Sequence, residues 1–125
     1  MKIIILGANQ VGSALAETLA NEANDITVVD NDAEKLQELK DHIDIGTIVG
    51  EASHPDVLER AGGEDAEMII AVTESAEINM VACRVAYSLF QTPKKICRIR
   101  SSSYLVSERL LFGKNGIGVT IVISI

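Results

Sequence analysis

Aromatic residues are scarce in this chain of 125: two Phe, two Tyr and no Trp, 3% in all. Proteins that grip nucleic acid stack bases on aromatic side chains interleaved with Lys and Arg. That interleaving is absent, so nucleic acid is not an expected partner. The only cysteines, Cys83 and Cys97, stand singly inside apolar segments. No Cys-x-x-Cys and no His/Cys cluster points to a metal, and buried, reduced thiols are expected. No apolar run reaches the roughly 18 to 20 residues that cross a bilayer. The opening MKIIILG enters a glycine turn without a secretory cleavage pattern. These absences lead to the expectation of a soluble, cytosolic chain with no direct membrane insertion.

Catalytic signatures are missing too. Tyr87 is followed four residues later by Gln91, and Tyr104 by Glu108, so the Tyr-x-x-x-Lys pair of short-chain dehydrogenases is absent. There is no nucleophile elbow and no G-x-x-x-x-G-K-[ST] loop. Of the two histidines, His42 falls late in a helical segment, and His54 falls at a helix start, as a capping or surface residue. The expectation is a protein that is not an enzyme.

What is present has a strong polarity. Residues 1–83 carry 4 Lys/Arg against 17 Asp/Glu, while residues 84–125 carry 7 against 1. The basic half reads either as a solvated face or as part of an anion site. Short β-branched runs, IIIL (3–6), ITVV (26–29), TIV (47–49), MIIAV (68–72) and KICRIR (95–100), alternate with helical periodicities. The helices are expected over 10–22, after the cap Asp32, from Ser53-His54-Pro55-Asp56 to Gly62-Gly63, over 77–90, and over 104–112. Alternation of this kind predicts an α/β fold, a doubly wound parallel sheet of Rossmann type in the order 3-2-1-4-5-6, in a single domain. The tail IGVTIVISI predicts an edge strand with Ile117, Val119, Ile121, Ile123 and Ile125 on one face. An edge so bare suggests a piece of a longer protein. The segment 78–90 is apolar nearly all round, with only Arg84, Ser88 and Gln91 as a polar stripe, so it is either deeply buried or meets another subunit.

The chemistry centres on GANQVG: Gly7, Ala8, Asn9, Gln10, Val11 and Gly12. In a G-x-G-x-x-G turn the first glycine permits the bend, the second admits the pyrophosphate, and the third lets helix and strand pack closely. Here Asn9 stands at the second position. The free N–H groups of the following helix remain an anion site. Asp30 follows Gly12 by 18 residues, near the usual spacing of about 20, at the end of the second strand. A carboxylate there accepts ribose hydroxyls and repels a 2′-phosphate, favouring NAD(H) or an adenine nucleotide over NADP(H). Further candidates at the strand ends are Gly50-Glu51-Ala52-Ser53, Thr73-Glu74, and the arginines Arg98 and Arg100. Of the two arginines, one is expected to reach the ligand and the other to pair with the carboxylates of the first half. A Rossmann domain without a ligand, docking partners only, is the plainer alternative.

GANQVG, VVD at 28–30, SHPDVLERAG, AVTESAEINMVACRVAYSLF and KICRIRSSSYL closely resemble the RCK (KTN) N-terminal domain family, in the form found in regulatory subunits of bacterial Trk potassium-uptake systems. The resemblance covers about residues 1–115. It implies a domain that binds NAD(H) or ATP/ADP, assembles as a homo-oligomer (a dimer or larger ring), and gates a membrane potassium-transport subunit from the cytoplasmic face. It maps ligand contacts onto the turn Gly7–Gly12, Asp30, Thr73, Glu74 and Arg98. Arg100 is a weaker carry-over, toward a phosphate or a neighbouring subunit. The family has glycine where this chain has Asn9, which bears on affinity and on the choice between dinucleotide and ATP. The tail after Gly116 also departs from the family, and a full member would continue into further domains. The rival from another class is the cofactor-binding half of an NAD-dependent dehydrogenase.

Overall fold

β1 (Lys2–Leu6) buries Ile3 and Ile5 on one side and Ile4 and Leu6 on the other. A parallel strand buried on both faces belongs in the middle of a covered sheet. The computed structural model, which describes all 125 residues, places it there. The chain continues through α1 (Gln10–Ala20), β2 (Asp25–Asp30), α2 (Ala33–Lys40), β3 (Gly46–Val49), α3 (Pro55–Arg60) and β4 (Met68–Ala71). It then forms α4 (Ala76–Val85), β5 (Lys94–Arg98), α5 (Ser102–Leu105), α6 (Glu108–Phe112) and β6 (Ile121–Ile123). All six strands are parallel, in the order β3-β2-β1-β4-β5-β6 expected for a Rossmann sheet.

The two sheet faces carry separate cores. One gathers Ile3, Ile5, Ile26, Val28, Ile70 and Val72 with Ala16 and Leu36 from α1 and α2. The other gathers Ile4, Leu6, Ile69, Ala71 and Cys97 with Val57 and Leu58 from α3 and Ala82 and Cys83 from α4. Each fully buried Ile or Leu contributes about 1.5–3 kcal/mol. Both cysteines are free and buried, as their apolar settings predict. The Cys83 thiol is pushed well up by its hydrogen bond with Cys97 and then by burial. No helix is long and apolar enough to cross a membrane.

Three expectations are corrected. The helix expected over 77–90 is α-helical only to Val85. Its last turn, Ala86–Phe90, widens to a π-helix and ends at Gln91 in the left-handed region, φ +49°. The helix expected over 104–112 is two short ones, α5 and α6, parted at Val106–Ser107. The tail pairs with β5 as the edge strand, but only over Ile121–Ile123. Gly118, at φ +77°, breaks the extended backbone. Ile117 and Val119 therefore pack on the α4 side of the sheet, whereas Ile123 packs on the α1 side. A strict two-residue alternation cannot survive a left-handed residue.

Candidate functional site

The order of the sheet reverses between β1 and β4, because β1 leads out to β2 and β3 while β4 leads to β5 and β6. Loops leaving the carboxyl ends diverge at such a point and leave a crevice between them. Leu6 lies level with Val29 and with Ala71, so the three following loops begin side by side. Between them is a cleft of about 240 Å³. It is lined by Gly7 and Asn9, by Asp30, Asn31 and Lys35, by Gly50 and Glu51, and by Thr73, Glu74 and Ser75, among others.

The turn needs both its glycines. Gly7 has φ +113°, and a Cβ there would lie 3.1 Å from the backbone of Val72 and Thr73. A Cβ on Gly12 would lie 1.7 Å from the Gly7 carbonyl oxygen, so helix α1 could not seat against the turn. Asn9 has ordinary extended backbone, φ −80° and ψ −173°, and serves as the N-cap of α1. Its Oδ1 accepts the Gly12 N–H at 3.0 Å, and its Nδ2 donates to the Val72 carbonyl at 2.8 Å. Asn at this position is thus anchored across the turn to the end of β4.

Asp30 closes the other side. Its Oδ2 accepts the Ala8 N–H at 2.7 Å, and its Oδ1 accepts the Asp32 N–H at 2.8 Å. A carboxylate has about four acceptor sites, so each oxygen keeps one lone pair for a hydroxyl in the cleft. Asn31 Nδ2 donates to Glu51 Oε1 at 3.3 Å, joining the loops after β2 and β3. Lys35 is the one cationic side chain on the cleft wall.

Gly7, Asn9, Asp30, Thr73 and Glu74 therefore share one cleft, while the remaining candidates lie around it. Ala8 faces Asp30 through its N–H. Gln10 is exposed and lines a separate groove between α1 and α2. Val11 packs into the core beneath α1, and Gly12 is buried under the turn. Arg98 is buried, its Nε donating to the Ile125 carbonyl at 2.7 Å and an Nη to the Val72 carbonyl at 3.3 Å. Arg100 is exposed and pairs with Glu74 at 3.4 Å. The two arginines share a neighbouring cleft with Thr73 and Glu74. His54 is exposed and makes no capping bond; His42 is exposed beyond α2. Asn31, Lys35 and Asn79 escaped the sequence reading, since no motif marks them; only adjacency to Asp30 hints at Asn31.

The chain matches the family model of the TrkA-N domain over residues 3–125. It is 56% identical over 119 residues to a Trk system potassium uptake protein TrkA of Vibrio alginolyticus, covering 95% of this chain and 26% of that protein. The chain thus spans about a quarter of the length of that relative. Among solved structures, the TrkA-N domain of the Escherichia coli inner membrane protein ybaL superposes with a TM-score of 0.84 at 17% identity, covering 98% of this chain and 86% of that one. Two states of the GsuK channel, one bound to NAD and one to ADP, give TM-scores of 0.79 and 0.78 at 21% identity. Each covers 98% of this chain, and 21% and 31% of theirs respectively. At these identities the structures share the fold.

Proposed function

This chain belongs to the TrkA-N domain family, and from that premise we propose that it is the nucleotide-sensing domain of a regulatory protein for potassium uptake. The ligand is NAD(H) or ATP/ADP, held in the cleft between the glycine turn and Asp30. The observation that carries this reading is the cleft at the reversal of the sheet, with Asp30 keeping free lone pairs at its mouth. Ribose hydroxyls would donate to Asp30, and a phosphate would approach the N-terminus of α1. Thr73 and Glu74 would close the ligand in, with Arg98 and Arg100 flanking it. Ligand-bound states of the GsuK channel, in the same fold, support an adenine nucleotide.

Signalling then runs through packing between subunits. Val81 and Leu89 stand about half exposed on α4 and its final turn, and Val106 and Leu110 are 84% and 82% exposed. Apolar side chains left in water so consistently suit a face buried against a second copy. A ligand that binds one arrangement of subunits more tightly than the other shifts the population, and a membrane potassium-transport subunit reads the shift from the cytoplasmic side. The name of the Vibrio relative, a Trk system potassium uptake protein, supports a role in potassium uptake.

The test is a thermal-melt titration with NAD, NADH, ATP, ADP and NADPH, with light scattering in parallel. At about 100 times its Kd, a ligand adds roughly 2.7 kcal/mol of stability, a rise of several degrees for a chain of this size. Stabilisation by an adenine nucleotide but not by NADPH, in a dimer or larger particle, is the expected result. A monomer at high micromolar concentration, or indifference to every nucleotide, overturns it.

A further inference from the structure

Asn79 is the one polar side chain that α4 buries, alongside Ala82 and Cys83, and it is fully enclosed. Every hydrogen-bonding capacity of its carboxamide is used on two strand ends. Oδ1 accepts the Thr73 N–H at 3.0 Å and faces the Thr73 hydroxyl at 2.6 Å. Nδ2 donates to the Thr73 carbonyl at 3.1 Å and to the Arg98 carbonyl at 2.9 Å. Thr73 in turn forms the cleft wall and backs onto Gly7, whose missing Cβ would lie 3.1 Å from the Thr73 nitrogen.

One side chain of α4 therefore grips the wall of the cleft by its N–H, its carbonyl and its hydroxyl, and ties that wall to the end of β5. Thr73 is also bonded to Ser75 at the N-cap of α4, but within the helix the other polar side chains reach elsewhere: Glu77 accepts from the Tyr104 hydroxyl at 2.8 Å and Arg84 donates to the Gly116 carbonyl. The outer face of the same helix carries the exposed Val81. We propose that Asn79 is a positioning residue that makes α4 move with the cleft wall, so that occupancy of the cleft is felt on the exposed face of the helix. This rests on the nucleotide reading of the cleft. The physical reason is stiffness. A buried amide with four partners cannot surrender them singly without leaving an unpaired group, which is costly away from water. The wall and the helix thus shift together or not at all. An apolar residue at position 79 would leave the wall free to adjust to a ligand while the helix stays put.

Hydrogen exchange of the chain with and without saturating ADP reads this directly, comparing the parent with Asn79→Ala and Asn79→Leu. In the parent, ADP slows exchange both in the turn and α1 and in α4 with its last turn, the latter by about fivefold or more, the lower end of ordinary coupling. In the variants, the turn stays protected by ADP while the effect on α4 is lost. A general loss of stability would instead lower protection everywhere, with and without ligand. Leucine keeps the branched outline of asparagine without a charge and serves if the alanine variant does not fold. Protection of α4 by ADP that persists in the variants overturns the proposal, as does a parent in which the turn is protected and α4 is not. A parent in which ADP protects neither segment instead refutes the nucleotide reading, and the coupling falls with it.

Discussion

The Gly12 N–H, at the head of α1, is taken by Asn9 Oδ1 at 3.0 Å. A phosphate approaching that helix terminus competes with a side chain already seated there. Exchanging one ordinary hydrogen bond for another involves about 0.5–1.5 kcal/mol. Asn9→Gly is therefore expected to tighten nucleotide binding by about threefold to tenfold, as measured by calorimetric titration. The unliganded variant should melt slightly lower, since it loses the cap and the bond to Val72, although glycine is itself a tolerable cap. Equal affinities in parent and variant would mean that Asn9 swings clear at no cost.

Asp30 has two tasks, and its removal should show both. Its carboxylate holds the Ala8 and Asp32 N–H groups. Charge-assisted bonds of this type are worth about 1.5–3 kcal/mol each to a buried donor, less where water reaches them, as here. Asp30→Ala is expected to lower stability in urea by about 1–3 kcal/mol and to abolish the melting shift with NADH or ADP. Asp30→Asn removes the charge that opposes a 2′-phosphate, so the ratio of NADH to NADPH affinity should fall toward one.

Gly12→Ala tests the seating of α1. The added carbon would lie 1.7 Å from the Gly7 carbonyl oxygen, a clash with backbone that no rotamer relieves. The helix must move off the turn, and a loss exceeding about 4 kcal/mol is expected. Circular dichroism on heating should show a chain largely unfolded at room temperature. A cooperative melt near that of the parent would contradict the geometry.

The sheet order and most element boundaries were legible because β-branched runs and helix caps alternate regularly: Asp32 and Ser75 cap α2 and α4 by direct bonds to backbone N–H groups. The helix breaks were not legible. Val106 and Ser107 carry no sequence mark of a break, and the wide turn at 86–90 depends on how α4 meets β5. Among candidate site residues, the glycine turn and Asp30 could be placed at the cleft because the tight turn after β1 demands glycine and Asp30 ends β2 at the spacing of a Rossmann sheet. Asn79 could not, since its partners are backbone groups of strands that meet only in the folded sheet.

Lys95 predicts an alkaline pH dependence. It lies at the start of β5, buried, with its ammonium donating to the Thr92 carbonyl at 2.6 Å and 5.3 Å from the Tyr87 ring centre. Burial lowers its pKa. The unfolded chain, with the ordinary value of about 10.4, holds that proton more tightly. Stability attributable to Lys95 therefore rises with pH from the folded pKa up to the unfolded one. Lys95→Met keeps the packing of the stem without the charge. It should be at least as stable as the parent at neutral pH, and the advantage should shrink as pH climbs toward 10. Tyr104, its pKa raised by the bond to Glu77, acts in the opposite sense in both proteins and cancels in the difference. An advantage that grows with pH would refute the assignment.

The widened turn at Ala86–Phe90 sets the phase of everything beyond it. In an unbroken α-helix, Leu89 would be rotated by about 80° from Val81, eight residues earlier. A π turn rotates less per residue, which swings Leu89 back toward the line of Val81, and both are about half exposed. The outward ridge of the helix is thus built by a local surplus of backbone rather than by sequence spacing. Deleting a single residue between 86 and 88 would close the segment as a plain α-helix and leave the Leu89 side chain seven residues beyond Val81, about 20° from it, so the ridge would survive the loss of the wide turn.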